Sequence, residues 1–333
     1  MSQKGVVIGL SAVIVSVDQA EPKVFVVNDA DHGEMNQNTS GQDKTVDAVP
    51  FGAFDPEHHE TLELGLREWV KTQTPLTPGY VEQLYTFGNK GRYLGQGAET
   101  PRVISVGYLA LTCYQDRHDI RDSDRFRWAT WYDYFPWEDF RQGRPDMIDD
   151  FIIPHLESWA KREQDPDMRA EYFRTIDVCF SRKGAKWDEE KILERYELLY
   201  TARMVDEACR DKDLDPDTHP IVKSRAMRFD HRRILATAIG RLRGKLKYRP
   251  VIFEVMPDDF TLLELQRTVE ALGGHNLHKQ NFRRFVENSG MVEETGRTTN
   301  RGGGRPANLF QFRQDVMFER HAPGVRLSPA KAS

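Results

Sequence analysis

The sequence predicts an α+β chain in three parts: a strand-rich N-terminal part, a helical middle, and a C-terminal pair of helices closed by a β-hairpin. Three observations predict it. Long β-branched apolar runs are confined to residues 1–115. The charged stretch after them carries apolar residues at the 3, 4 spacing of an amphipathic helix. Near the C-terminus a capped helix, a second helix and two short strands follow one another. The 333 residues suffice for two or three domains, and with 39% apolar and 30% charged residues each can bury a core under a charged surface. We divide the chain at 1–150, 151–227 and 228–320, with a flexible tail at 321–333.

In the first part, residues 6–17 are an apolar β-branched strand and 23–28 (KVFVVN) a second after a turn. Residues 29–43, rich in Asn, Gly, Ser and Gln, read as a polar loop. Residues 46–50 form a short strand, 60–72 a helix and 102–113 (RVISVGYLALTC) a long buried strand. Strands around one short helix fit a mixed α+β domain. In the middle part, Trp128, Trp131, Tyr132, Tyr134, Phe135 and Trp137 crowd one stretch and read as core or interface. Residues 188–206 form an amphipathic helix through Ile192, Leu193, Tyr196, Leu199 and Tyr200, with Asp188 as its N-cap.

In the last part, residues 230–245 form a basic helix, 249–255 a short strand and 257–259 a turn. Thr261 and Glu264 make a capping box for the next helix, and glycines end it. A second helix runs over 278–288. Strands at 291–295 and 309–313 flank the loop GRTTNRGGGRPAN.

The net charge of −5 conceals an asymmetry: residues 228–333 hold 19 Lys and Arg against 11 Asp and Glu, the preceding residues 28 against 41. A basic third on an acidic body suggests a polyanionic partner. Three scattered cysteines, Cys113, Cys179 and Cys209, with no CxxC, argue against a disulfide framework or cysteine-rich zinc site and for a reducing cytoplasm. No apolar run approaches the roughly 20 residues of a membrane span. The N-terminal residues read as a strand and not as a signal peptide.

Helix, turn, helix and a hairpin with a glycine-rich basic tip is the order of a winged helix-turn-helix. The second helix opens with His278, Lys279, Gln280 and Asn281, followed by Arg283 and Arg284. These donors and amides sit where a recognition helix meets base edges, while Phe282, Phe285 and Val286 supply the inward face. Arg297, Arg301 and Arg305 surround the glycines of the loop. Arginine suits a narrow minor groove, and glycine lets backbone approach the duplex. Double-stranded DNA is the partner these residues point to.

The stretch PFGAFDPEHHETLELGLREW (50–69) resembles a Nudix box. Gly52, Arg67 and Glu68 match that signature, and Glu60 lies one residue closer to Arg67 than it asks. Its Glu-Glu pair is replaced by Lys71 and Thr72, and its closing glycine by Thr74. Those carboxylates hold divalent metal beside a diphosphate and activate water, so their loss predicts a domain that binds without cutting. A Nudix-like domain joined to a winged helix-turn-helix resembles the NrtR family of Nudix-related regulators of NAD metabolism. The motifs FDHRRILATAIGRLRGKL, FTLLELQ, KQNFRRFVE and GGGRPANLFQF, with LYTFGNKGR (84–92) and RVISVGYLAL (102–111), carry the resemblance.

The resemblance implies an α/β/α sandwich at the N-terminus and a cytoplasmic homodimer that represses NAD-biosynthesis or salvage genes from a palindromic operator. It implies ADP-ribose or a related nucleotide as effector, with no catalytic residue, resident metal or cofactor. Within the sandwich, Arg102 and Arg92 are candidates for the diphosphate, since guanidinium forks match phosphate oxygens. Arg67 and Phe51 are further candidates, and Tyr85 or Tyr108 for stacking on adenine. Two rival expectations remain. One is a metal-dependent hydrolase of ADP-ribose or another nucleoside diphosphate using Glu60, Glu63, Glu68 or Glu82; the other is the same repressor with a non-NAD effector.

Overall fold

The computed structural model describes residues 5–27, 46–74, 76, 79–89, 102–114, 125–300, 306–313 and 315. The polar loop at 29–43, Arg92, Arg301, Arg305 and the tail at 321–333 lie outside them.

The N-terminal strands form one mixed sheet. Its members are β1 (Val6–Asp18), β2 (Glu21–Val27), β3 (Phe51–Ala53), β4 (Tyr80–Phe87), β5 (Arg102–Leu111) and β6 (Phe126–Thr130). Their order is β4-β5-β1-β2-β6, with β3 pairing β1. β1 and β5 run parallel and pair residue for residue from Val6 with Arg102 to Val15 with Leu111. Both are buried on two faces, which is why they read as continuous apolar runs. Leu10, Ala12, Ile14, Phe25, Val106, Tyr108 and Ala110 face a core shared with Leu66 and Val70 of helix α1 (Leu62–Gln73). Val13, Val15, Val24, Val26, Leu109 and Leu111 face the opposite, larger core. Helices on both faces make the α/β/α sandwich.

The helices behind that larger core are α2 (Ile153–Lys161), α3 (Pro166–Cys179), α4 (Ile192–Thr201), α5 (Asp206–Asp211) and α6 (His231–Leu246). α6 packs on α4 and on β1, β4 and β5. Gly107 permits this approach: a Cβ there would come within 3.0 Å of Ile234 and 3.1 Å of Phe87. The aromatic stretch is core, with Trp131, Tyr134, Phe135 and Trp137 fully buried.

The C-terminal part holds α7 (Leu262–Gly273) and α8 (Lys279–Ser289). A three-stranded sheet follows, of β7 (Asp259–Phe260), β8 (Val292–Thr299) and β9 (Ala307–Phe312), in the order β7-β9-β8. The Thr261–Glu264 capping box forms, with the Thr261 amide donating to Glu264 at 2.7 Å and the Glu264 amide to Thr261 at 3.1 Å.

Several local expectations are corrected. Residues 249–255 form a 3₁₀ turn at Val251–Val255, set by the fixed φ of Pro250; the strand follows at Asp259–Phe260, where a turn was expected. Residues 46–50 make only isolated bridges, Asp47 with Met227 and Ala48 with Val27, before β3. Tyr80–Phe87 is a strand that sequence alternation conceals, because its ladder is bulged between Gln83 and Tyr85. The helix expected over 188–206 breaks into α4 and α5 at Arg203, which sits at φ 60°. Asp188 caps no helix; its carboxylate accepts from the Glu190 amide at 3.0 Å.

The basic helix expected at 230–245 forms, but much of its charge is buried. Arg232 and Arg243 of α6 are fully buried, as is the preceding Arg228. Arg232 pairs with Glu207 at 3.1 Å and Arg243 with Glu138 at 2.8 Å. Carboxylates from the acidic body thus neutralise arginines of the basic third, so the charge separation along the sequence overstates that in space.

Candidate nucleic-acid interface and effector domain

α8 presents a sharply two-sided surface. Phe282 and Val286 are buried, and Phe285 packs against the same core. His278, Lys279, Gln280, Asn281, Arg283 and Arg284 are all exposed. This places every predicted residue of the second helix on one solvent-facing surface, with His278 at the N-cap. The turn before it is pinned by α7: the Glu270 carboxylate accepts from the Leu277 amide at 2.8 Å, and Gln266 donates to the Leu277 carbonyl at 3.1 Å.

The wing carries a bulge. β8 and β9 lose register between Glu294 and Thr298, where Gly296 adopts φ 74°. A β-branched residue would be strained there. Arg297 follows the bulge and is exposed, but its Nη2 lies 2.5 Å from both carboxylate oxygens of Asp259 on β7. Sequence reading placed Arg297 toward DNA and overlooked this partner, which lies 38 residues away.

The α7–α8 unit is joined to the body through the C-terminal end of α7, whose last carbonyls have no partner inside the helix. The Tyr132 hydroxyl donates to the Ala271 carbonyl at 2.7 Å, and Arg243 Nε to that of Leu272 at 3.0 Å. The Phe140 amide donates to the Gly274 carbonyl at 2.7 Å. Gly274 is left-handed at φ 78°, and a Cβ on it would sit 2.5 Å from the Glu138 carbonyl oxygen. Only glycine closes this joint. Burial also pushes the Tyr132 hydroxyl pKa up, so the phenol stays a donor.

In the sandwich, the Nudix-like stretch is accounted for by packing. A Cβ on Gly52 would lie 2.1 Å from the Trp69 ring, whose Nε1 donates to the Ala53 carbonyl at 2.8 Å. Thr74 replaces the closing glycine with a hydroxyl that donates to the Val70 carbonyl at 2.7 Å. Thr74 ends the helix in an extended conformation, φ −138°, so no left-handed residue is required. Lys71 and Thr72 are exposed, as are Glu60, Glu63 and Glu68. Glu82 is bonded by Lys245 Nζ and by the Tyr80 hydroxyl. Among the described residues no three His, Cys, Asp or Glu side chains converge on a possible metal position.

The candidate effector residues are not gathered at one place. Phe51 is core, its ring edge-on to Phe229 and His231 and its backbone bonded to Gln73. Tyr108 is buried, whereas Tyr85 is exposed on β4. Arg67 pairs with Glu63 at 2.9 Å and reaches the Gly79 carbonyl, beside the Tyr80–Leu111 end of β5. Arg102 begins β5 and donates to the Gly88 carbonyl at 2.8 Å. At about 3.3 Å per residue, the two arginines lie toward opposite ends of a strand roughly 30 Å long. One diphosphate cannot touch both within a protomer.

An α/β/α sandwich carrying a Nudix-like stretch and joined to a winged helix makes a two-part architecture. Residues 252–312 match the family described as the NrtR DNA-binding winged helix domain. Among solved structures, NrtR of Shewanella oneidensis in complex with a 27mer DNA aligns over 96% of this chain and 99% of its own, at 21% identity and TM-score 0.55. A MutT/nudix family protein from Enterococcus faecalis aligns over 94% of this chain and 88% of its own, at 15% identity and TM-score 0.51. Among curated proteins, the ADPR responsive transcriptional repressor NtrR of Acinetobacter baylyi is 45% identical over 91 residues. That match covers 27% of this chain and 36% of the relative's length. Residues 252–312 thus match the NrtR winged helix family, and the whole chain shares the fold of the Shewanella structure. The curated Acinetobacter relative and the Shewanella structure agree with the resemblance read from the motifs. Among the described residues no helix is long and apolar enough to cross a membrane.

Proposed function

We propose that this chain is a transcriptional repressor of NAD-metabolism genes that senses ADP-ribose. It binds a palindromic operator as a homodimer, reading it with α8 and the β8–β9 wing. The observation that carries the reading is the exposed row His278 to Arg284 on a helix fixed to an α/β/α body. The names of the Acinetobacter relative, an ADPR responsive repressor, and of the Shewanella complex with DNA support it. His278, Lys279, Gln280, Asn281, Arg283 and Arg284 contact the duplex, with Arg297, Arg301 and Arg305 from the wing. A ligand in the sandwich shifts DNA affinity only by its differential affinity for two arrangements of the protein.

The sandwich binds ADP-ribose without hydrolysing it. Lys71 and Thr72 stand where metal-binding carboxylates would be needed, and Glu82 is already neutralised by Lys245. Arg67 and Lys71, one turn apart on α1, offer two cations to a diphosphate, the charge a metal would otherwise supply. We place the domain boundary near residue 250, a reading supported by the packing of α6 on the sheet and by the winged-helix match that begins at 252.

The test is a DNA-binding titration with a fragment from upstream of the chain's own or a neighbouring NAD-metabolism gene, at fixed salt, with and without ADP-ribose. A saturable, sequence-dependent shift altered by ADP-ribose is expected. A shift that ignores ADP-ribose refutes the effector and keeps the repressor. Absence of specific binding refutes the repressor and returns attention to metal-dependent hydrolysis.

A further inference from the structure

We infer that Glu287 is a positioning residue for base recognition: it holds Arg283 so that the guanidinium fork reads a guanine. This rests on the DNA-binding reading above and assigns one base contact within it. At 100° per residue, Gln280, Arg284 and Glu287 form a single stripe opposite Phe282, Phe285, Val286 and Ser289, and Arg283 flanks that stripe. A carboxylate in the stripe that meets a polyanion repels phosphate, so its charge needs a compensating role.

The geometry supplies one. Arg283 Nε donates to Glu287 Oε1 at 2.8 Å, and both side chains are exposed, at 61% and 44%. The bond uses Nε alone. Among the described residues no hydrogen bond engages Nη1 or Nη2 of Arg283. An acceptor at Nε restrains the guanidinium and leaves both Nη groups as donors, the pair that matches guanine O6 and N7. A flexible arginine must lose this freedom on binding; Glu287 biases it beforehand toward the restrained rotamers. Arg297 is held differently, with Nη2 committed to a carboxylate. Arg284 lacks an anchor of this kind among the described residues, which suits a phosphate contact that needs charge more than orientation.

The experiment selects bound sequences from a pool of randomised duplexes with the full-length protein, then measures binding to the enriched sequence and to random DNA. The wild type is expected to enrich a palindrome with a guanine column in each half-site. R283A and E287A should flatten that same column and lower the specific-to-random ratio on the order of tenfold. The double variant should fall no further than R283A alone. E287Q keeps an acceptor oxygen without the charge and should retain a weakened column. Retention of the guanine column by E287A, with its loss in R283A, overturns the inference. Loss of a different column in E287A also overturns it, because Glu287 then reads a base itself. If the wild type enriches nothing, the DNA-binding reading falls, and the inference with it. Matched thermal melts exclude misfolding of these surface variants.

Discussion

The Glu138 carboxylate accepts a hydrogen bond at 2.8 Å from Arg243, a residue 105 positions later, and both side chains are closed to solvent. Arg195, also fully buried, donates to the same carboxylate through Nη2 at 2.9 Å. One anion thus holds two cations, and the surplus positive charge is shared with the carbonyls of Leu272, Glu189, Cys179 and Asp188. Removing the anion would strand both arginines. Glu138→Ala is expected to lower stability by about 3–5 kcal/mol, read from urea unfolding. A loss below roughly 1 kcal/mol would show that solvent reaches the arginines.

Asp259 restrains Arg297 on the wing. Arg297 must leave Asp259 to reach the duplex, so Asp259→Asn removes a competing anion and should raise affinity for random DNA. Unchanged affinity would mean that Arg297 does not contact the duplex.

His231 introduces a pH dependence of stability. Burial and the neighbouring Arg228 and Arg210 push its pKa down to about 3. The imidazole is therefore neutral in the folded chain and takes up a proton on unfolding below about pH 6.5. The unfolded state binds more protons, so stability is lost as pH falls from about 6.5 toward 3, at up to about 1.4 kcal/mol per unit. His275, also lowered by burial, acts in the same sense. Denaturant midpoints at pH 7 and pH 5 should differ less in His231→Phe than in the wild type.

Arg67 and Arg102 cannot serve one diphosphate together. Calorimetric titration of ADP-ribose into Arg67→Ala and Lys71→Glu should show losses of about 1.5–3 kcal/mol each, with Arg102→Ala near wild type. The opposite pattern would move the effector to the start of β5.

Much of this architecture was legible in the chain. The apolar runs of β1 and β5 and the Thr261–Glu264 cap announce themselves because local chemistry and tertiary burial agree there. The exposed row of α8 followed from one amphipathic period. What stayed hidden depends on distant partners. The buried fate of Arg232 and Arg243 requires Glu207 and Glu138, and Arg297 requires Asp259, none of them near in sequence. β4 was obscured by its bulge, and α4 by a break at Arg203 that no glycine or proline marks. Glu287 was missed because a lone acidic residue on a basic helix reads as a solubilising charge. Phe51, taken from the Nudix-like box as a binding residue, lies in the core edge-on to Phe229 and His231.

The bonds from Tyr132, Arg243 and Phe140 to the end of α7 bear on how a pair of protomers would measure DNA. A reading head on a slack tether tolerates many spacings between half-sites. A head bolted to the body at Ala271, Leu272 and Gly274 behaves as the arm of a caliper, its gap set by how the bodies meet. Inserting half a helical turn between half-sites, about five base pairs, would then carry one half-site to the far side of the duplex, beyond reach of a jaw that cannot swing.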